Sequence, residues 1–202
     1  FGCDPDERFA RATLLDGSPV EGGRPTGESA SISRLLCPVE PRAILCIGLN
    51  YRDHAAETGA ELPRFPVLFM KNPASANHPG APVRLPACST GRETDYEVEL
   101  AVVIGKPARD VDEADALDCV LGYTIANDVS ARRWQKSGGG GQWIRGKSFD
   151  TFCPFGPALV TPDHLADPQQ LALTTTVNGE TLQASNTREM IFTVAQLIAF
   201  LS

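Results

Sequence analysis

The strongest constraint on the fold is an apolar, β-branched run at residues 95–105 that is preceded and interrupted by acids. Successive side chains of a strand point to opposite faces, so Glu97 and Glu99 are predicted to face the same side of one strand. Like charges held this close raise each other's pKa, and a bound cation relieves the repulsion. On spacing alone, the pair indicates either a cation site or the solvent face of the strand.

A second strand-like run, residues 120–127, ends in Asp128, which is a candidate third oxygen ligand. Ligation by carboxylates alone, with coordination positions left open, suits a hard ion such as Mg²⁺ or Mn²⁺. Together with Glu97 and Glu99, this aspartate predicts a divalent-metal site.

Composition limits the classes of protein that this chain can belong to. With 202 residues, 42% hydrophobic and 21% charged, it is typical of a globular protein with one main domain. Residues 1–40, rich in Gly, Pro and Ser, are predicted to form a small appendage and linker, and residues 41–202 the main domain. The net charge of −7 argues against nucleic acid or an anionic membrane surface as a partner, and we find no apolar run long enough to span a bilayer.

The predicted elements are mostly strands. Strands are expected at 44–49, 66–71, 97–104, 120–128 and 156–161, a hairpin about Asn178-Gly179, and helices at 112–117, from Ser130, and at 193–201. Asn50 is the expected N-cap, and Gly59 the end, of a short helix. The connections are too short for repeated crossover helices, which disfavours a doubly wound sheet. Six cysteines without CxxC spacing indicate reduced, structural thiols and a reducing compartment.

Three further groups of residues could carry chemistry. His54 and Glu57 lie three residues apart on a predicted helical turn, an arrangement typical of a general base but also of an ordinary surface pair. Lys147 could direct its ammonium group at an oxyanion, although most lysines are simply solvated. Arg132 and Gln135, three residues apart, could hold a substrate carboxylate.

Taken together, these motifs resemble the fumarylacetoacetate hydrolase superfamily and, within it, the fumarylacetoacetate hydrolase domain-containing proteins. The resemblance covers about residues 44–201. It rests on GLNYRDHAAE (48–57), DYEVEL (95–100), NDVSAR (127–132) and GKSFDTFCP (146–154), which occur in the order that the family shows.

The resemblance implies an α+β, mostly β fold, the mixed β-roll of this family with short peripheral helices, assembled as a homodimer. It also implies a set of site residues: Mg²⁺ or Mn²⁺ on Glu97, Glu99 and Asp128, a lid with the pair His54 and Glu57, an active-site Lys147, and substrate contacts from Arg132 and Gln135. Family members continue past the last helix into strands with a Pro-Gly-Asp…Thr-Gly-Thr-Pro-x-Gly motif. That motif is absent here, so we expect the domain to be incomplete at its C-terminus.

The function implied is a metal-dependent reaction of a 2-oxo acid that has a second carbonyl group, through its enolate. Hydrolysis of a C–C bond in an acylpyruvate (a 2,4-dioxo acid) and decarboxylation of oxaloacetate are the first expectation. Keto–enol tautomerisation of oxaloacetate is the alternative, and a non-catalytic or partner-dependent homologue is the second alternative. The expected location is intracellular, cytoplasmic or mitochondrial.

Overall fold

The computed structural model describes residues 2–89 and 92–202, which divide into two compact units, one ending at Leu36 and the other comprising Cys37–Ser202. The first unit is a three-stranded antiparallel sheet in the order β1–β2–β3, formed by β1 (Gly2–Cys3), β2 (Arg11–Leu15) and β3 (Pro25–Ser31). A short 3-10 turn, Pro19–Glu21, lies in the connection between β2 and β3.

The second unit contains ten strands and four short helices in its described residues. Its strands are β4 (Ile44–Gly48), β5 (Val67–Lys71), β6 (Ala76–Asn77), β7 (Thr94–Asp95), β8 (Val98–Ile104), β9 (Val120–Asn127), β10 (Ser130–Ala131), β11 (Cys153–Pro154), β12 (Ala172–Val177) and β13 (Glu180–Asn186). Its helices are α1 (Arg52–Thr58), α2 (Arg132–Lys136), α3 (Ile144–Lys147) and α4 (Val194–Leu201). No helix in this described part of the chain is both long and apolar enough to cross a membrane.

The strands of the second unit associate in pairs. β4 pairs with β5, β7 with β10, β8 with β9 and β12 with β13, all antiparallel, whereas β6 and β11 are parallel. Antiparallel partners need only short connections, which agrees with the mostly β, mixed architecture expected from the sequence.

The pair β8–β9 brings the acidic residues together. In its register Val98 lies opposite Asn127 and Glu99 opposite Ala126. Beyond the ends of the two strands, the Asp128 amide donates to the Glu97 carbonyl at 2.9 Å, and the Glu97 amide donates to the Asn127 side chain at 3.0 Å. Glu97 therefore lies just before β8 rather than inside it, and it is tied directly to the residue that follows β9.

Several local predictions are confirmed. Asn178 and Gly179, with φ of 52° and 85°, form the tight turn between β12 and β13. Thr193 caps α4 in a capping box with Gln196, and Gly59 ends α1 in the left-handed conformation.

Other local predictions are wrong, each for a tertiary reason. Asn50 does not cap α1. Its side chain instead accepts from the Phe192 amide at 2.9 Å and donates to the Phe192 carbonyl at 3.0 Å, and Tyr51 occupies the cap position. Ser130 opens strand β10, which pairs with β7, before the helix begins at Arg132. Residues 112–117 form no α-helix, and a 3-10 turn covers Ala116–Cys119. Residues 156–161 form no strand, although Val160 makes an isolated bridge with Tyr123.

The main core lies between the β8–β9 pair and α4. Tyr123, Met190, Val194 and Ile198 are buried there, with Leu100 packed against them. A second cluster contains Val129, Ala131 and Phe152 beside the segment that carries Asp128. The six cysteines are all free. Burial raises the pKa of the Cys153 thiol to about 11, so this thiol stays protonated as a small apolar group.

Candidate active site

The candidate site is centred on the carboxylate of Asp128, which is 6% exposed. One of its oxygens accepts from the Lys71 ammonium at 2.6 Å, and the other accepts from the Lys147 ammonium at 2.7 Å. The two lysines are only 1% and 2% exposed. Burying charged groups is costly unless they are paired, so the three side chains stabilise one another in their charged forms.

Lys147 links Asp128 to Glu97. Its ammonium group also donates to a carboxylate oxygen of Glu97 at 2.8 Å, so it bridges two of the three carboxylates that the sequence predicts as metal ligands. Lys71 makes a further bond, to the Val129 carbonyl at 3.1 Å. The donors of both ammonium groups are thus directed to oxygens in one small buried region.

Arg132 extends the network toward the surface. Its Nη1 donates to Glu97 and, at 3.0 Å, to Gln135, and its Nε and Nη2 donate to one oxygen of Asp95 at 2.9 and 2.8 Å. The guanidinium side chain is 32% exposed, whereas Gln135 is buried. The arginine is therefore a cation that is fixed on one side and reachable from solvent on the other.

Local structure explains how these residues meet. Gly146 lies where α3 packs on α2, and a Cβ atom there would lie 2.3 Å from the Gln135 nitrogen and 2.7 Å from the Ala131 carbonyl oxygen. Only glycine permits this approach, which brings Lys147 at the end of α3 next to Arg132 at the start of α2.

Glu99 differs from the other acids. Its carboxylate takes part in no ion pair or side-chain hydrogen bond among the described residues. Burial, together with the charges of Glu97 and Asp128, raises its pKa to about 8. Near neutral pH this side chain is therefore mostly protonated, and a bound cation would favour its ionised form.

The donor types fit a hard divalent cation, because all three are carboxylates and Glu99 has no side-chain partner among the described residues. Within residues 2–89 and 92–202, however, no group of three His, Cys, Asp or Glu side chains is arranged to hold a metal ion. The Lys147 ammonium lies between two of the three acids instead. The metal assignment of Glu97, Glu99 and Asp128 consequently stays a prediction.

The pair His54 and Glu57 lies apart from this network. Both side chains are on α1, with the His54 Nδ1 3.8 Å from a Glu57 oxygen, and they are 59% and 81% exposed. In the described part of the chain, no hydrogen bond or ion pair joins either of them to the buried carboxylates and lysines. Whether the pair acts on a substrate stays a prediction.

Sequence reasoning missed two members of the network, Lys71 and Asp95. Lys71 ends β5 in phase with Val67 and Phe69, and a lysine on the same face as apolar residues of a strand is the signal that could have identified it. Asp95 precedes Glu97 by two residues, the same spacing that drew attention to the acid pair.

Comparison with known proteins gives a consistent result. Residues 43–202 match the family described as fumarylacetoacetate (FAA) hydrolase, C-terminal. The chain is 48% identical over 168 residues to the mitochondrial oxaloacetate tautomerase FAHD2A of Homo sapiens, covering 83% of this chain and 53% of that protein. It is 49% identical over 175 residues to the mitochondrial oxaloacetate tautomerase fahd2 of Xenopus laevis, covering 86% of this chain and 54% of that protein. The chain thus spans about half the length of these two relatives.

The fold of this chain also matches those of solved structures. The 2-hydroxyhepta-2,4-diene-1,7-dioate isomerase of Mycobacterium marinum superposes with a TM-score of 0.83 at 40% identity, covering 98% of this chain and 73% of that one. The fumarylacetoacetate hydrolase of Exiguobacterium antarcticum superposes with a TM-score of 0.76 at 40% identity, covering 87% and 64%.

The paired burial of Lys71 and Asp128 leads to a stability prediction. Lys71→Met should lower the free energy of unfolding by roughly 3 kcal/mol, because it leaves a buried carboxylate with only one cation. The double variant with Asp128→Asn should cost clearly less than the two single changes added together. Urea unfolding measures all three, and Lys106→Met, at an exposed lysine, is the matched control. Additive effects would contradict a direct pairing.

Proposed function

The chain belongs to the fumarylacetoacetate hydrolase family, and from this membership we propose that it transfers a proton at the carbon next to the keto group of a small 2-oxo dicarboxylic acid such as oxaloacetate. The observation that carries the proposal is the Lys147 ammonium, 2% exposed and held between Glu97 and Asp128. The two tautomerases that it resembles support this class of substrate.

The cations of the network can recognise such a substrate. Arg132 presents a guanidinium group that is partly open to solvent, and the one N–H group that its bonds to Asp95, Glu97 and Gln135 leave free can donate to a substrate carboxylate. Gln135, hydrogen-bonded to Arg132, can hold that guanidinium in its orientation.

Lys147 can move the proton. In the enol-to-keto direction, the ammonium gives a proton to C3 of the substrate, and the hydroxyl group at C2 loses one. Asp128, hydrogen-bonded to the same lysine at 2.7 Å, can relay that proton back to the amine. The lysine is then an ammonium again, and the overall change is isomerisation without a co-reactant.

A divalent ion on Glu97, Glu99 and Asp128 would supply Lewis-acid polarisation of the keto oxygen. Two features support this part of the proposal, namely the unpartnered Glu99 and its raised pKa. The homodimer, which the family resemblance implies, and the intracellular location, which the reduced cysteines indicate, remain predictions.

The role of Lys147 can be tested by substitution. Lys147→Met should lower kcat for oxaloacetate tautomerisation by roughly a hundredfold or more, because the proton donor is lost. Lys147→Arg keeps the charge but cannot exchange a proton near neutral pH, so it should be nearly as slow. Enol absorbance follows the reaction, and Lys106→Met is the control. A normal kcat in the Lys147→Arg variant would show that the lysine contributes only its positive charge to substrate binding and is not the proton donor.

Metal dependence is a separate prediction. Incubation with EDTA should abolish turnover, and Mg²⁺ or Mn²⁺ should restore it. Glu99→Gln should weaken Mn²⁺ binding by roughly tenfold or more, measured by calorimetry without substrate, because one charged oxygen donor is lost. Glu113→Gln, at an exposed acid, is the matched control. Full activity in the presence of EDTA would remove the ion from the proposal.

Hydrolysis of a C–C bond in a 2,4-dioxo acid is a second candidate function. The observation that favours it is the His54–Glu57 pair on α1, which is accessible to solvent and could activate water. Decarboxylation of oxaloacetate needs no water and would be detected as released CO₂.

The two candidates respond differently to loss of the histidine. His54→Ala should lower acylpyruvate hydrolysis by roughly a hundredfold or more if the pair activates water, while tautomerisation through Lys147 changes little. Product formation and enol absorbance are followed separately on the same preparation, with His164→Ala as control. Equal losses in both reactions would show that the histidine serves a step common to both.

A further inference from the structure

An aromatic ring lies beside the ammonium group of Lys147. The nitrogen is 5.1 Å from the centre of the Phe69 ring, within the range of a cation–π interaction. The same nitrogen donates to Glu97 and Asp128 at 2.8 and 2.7 Å. Two carboxylates and one ring face therefore surround a buried charge.

Phe69 is itself held in place. It lies opposite Cys46 in the β4–β5 pair, and its ring meets the indole of Trp143 edge-to-face, with 5.4 Å between the centres and 64° between the planes. The indole occupies space that only a glycine leaves open, since a Cβ atom on Gly48 would lie 2.3 Å from Trp143 Cζ3. Gly48 and Phe69 are diagonal neighbours on one face of the strand pair.

Trp143 and Lys147 belong to the same short segment. Trp143 immediately precedes α3, and Lys147 is the last residue of that helix. At the start of the segment, the Trp143 indole packs against Gly48 and Phe69. At its end, the Lys147 ammonium lies over the ring of Phe69. Both ends depend on one phenylalanine.

We propose that Phe69 is a positioning residue for Lys147, with Trp143 as its support. The kinetic part of this inference rests on the proposed function above. Glu97 and Asp128 can engage a substrate or an ion, and they then bind the ammonium less strongly. The ring face attracts a cation but accepts no proton and leaves the N–H groups free. Phe69 therefore keeps Lys147 in place while its protons are directed at the substrate.

Two substitutions distinguish the effect of the aromatic face of Phe69 from the effect of its volume. Phe69→Leu keeps an apolar side chain of related size and removes the π-face, whereas Phe69→Tyr retains the ring. We expect Phe69→Leu to lower kcat for tautomerisation roughly tenfold with KM changed less than about twofold, and Phe69→Tyr to restore most of the rate. Circular dichroism and the melting temperature verify that each variant is folded.

A measurement independent of turnover follows the lysine directly. The chain has four lysines, so selective ¹³C labelling gives a simple spectrum in which Lys147→Arg identifies the signal of Lys147. Protons close to a ring face are shifted upfield. The ε-methylene signal of Lys147 should be shifted in this way in the unmodified protein and in Phe69→Tyr, and should lose most of the shift in Phe69→Leu.

The outcomes distinguish this inference from the proposed function. A ring-current shift that disappears in Phe69→Leu, together with a lower kcat, supports the positioning role. If the unmodified protein is active and the Phe69→Leu variant is folded and has the same kcat, the positioning role is overturned. It is also overturned if Phe69→Tyr loses as much activity as Phe69→Leu. Where the unmodified protein isomerises no 2-oxo acid, the proposed function fails, and the NMR shift alone decides whether Phe69 orients Lys147.

Discussion

The arrangement of this molecule depends on one buried interaction, the carboxylate of Asp128 held between the ammonium groups of Lys71 and Lys147. It joins three parts of the chain, the end of β5, the end of β9 and the end of α3. Charged groups this deeply buried contribute little to stability compared with well-packed apolar residues, and they are strongly destabilising when one partner is lost. Their presence at the junction of three elements supports the chemical role that we propose for them.

Charge balance gives the network its chemical character. Four acids face three cations: Asp95, Glu97, Glu99 and Asp128 against Lys71, Arg132 and Lys147. The acid left over is Glu99, whose pKa is raised to about 8 by burial and by the charges of Glu97 and Asp128, so that it is mostly protonated near neutral pH. A buried acid that a bound cation would ionise, in the same network as a partly open arginine, is suited to a cation and an anionic substrate together. This is the physical basis for proposing both an ion and a 2-oxo diacid.

The position of α1 separates the candidate reactions. Proton transfer through Lys147 needs only groups that already lie within hydrogen-bonding distance of one another. Activation of water by His54 and Glu57 requires these exposed side chains to reach the bound substrate. Relatives of this chain carry the names of a tautomerase, an isomerase and a hydrolase.

The sequence by itself determined which residues can carry charge and where the longer strands of the second unit lie. Apolar, β-branched runs predicted β8 and β9, Asn178-Gly179 predicted the hairpin, and the motifs identified the family and most of the network, because these signals depend only on neighbouring residues. Only the tertiary structure decided which side chains contact one another. No local pattern shows that Lys71 reaches Asp128, fifty-seven positions away. Nor does one show that Asn50 bonds to Phe192 instead of capping a helix. The position of Lys147 between two of the acids assigned to a metal is likewise visible only in the structure. These contacts arise from packing between distant segments, and the cost of leaving a buried charge unpaired selects among them.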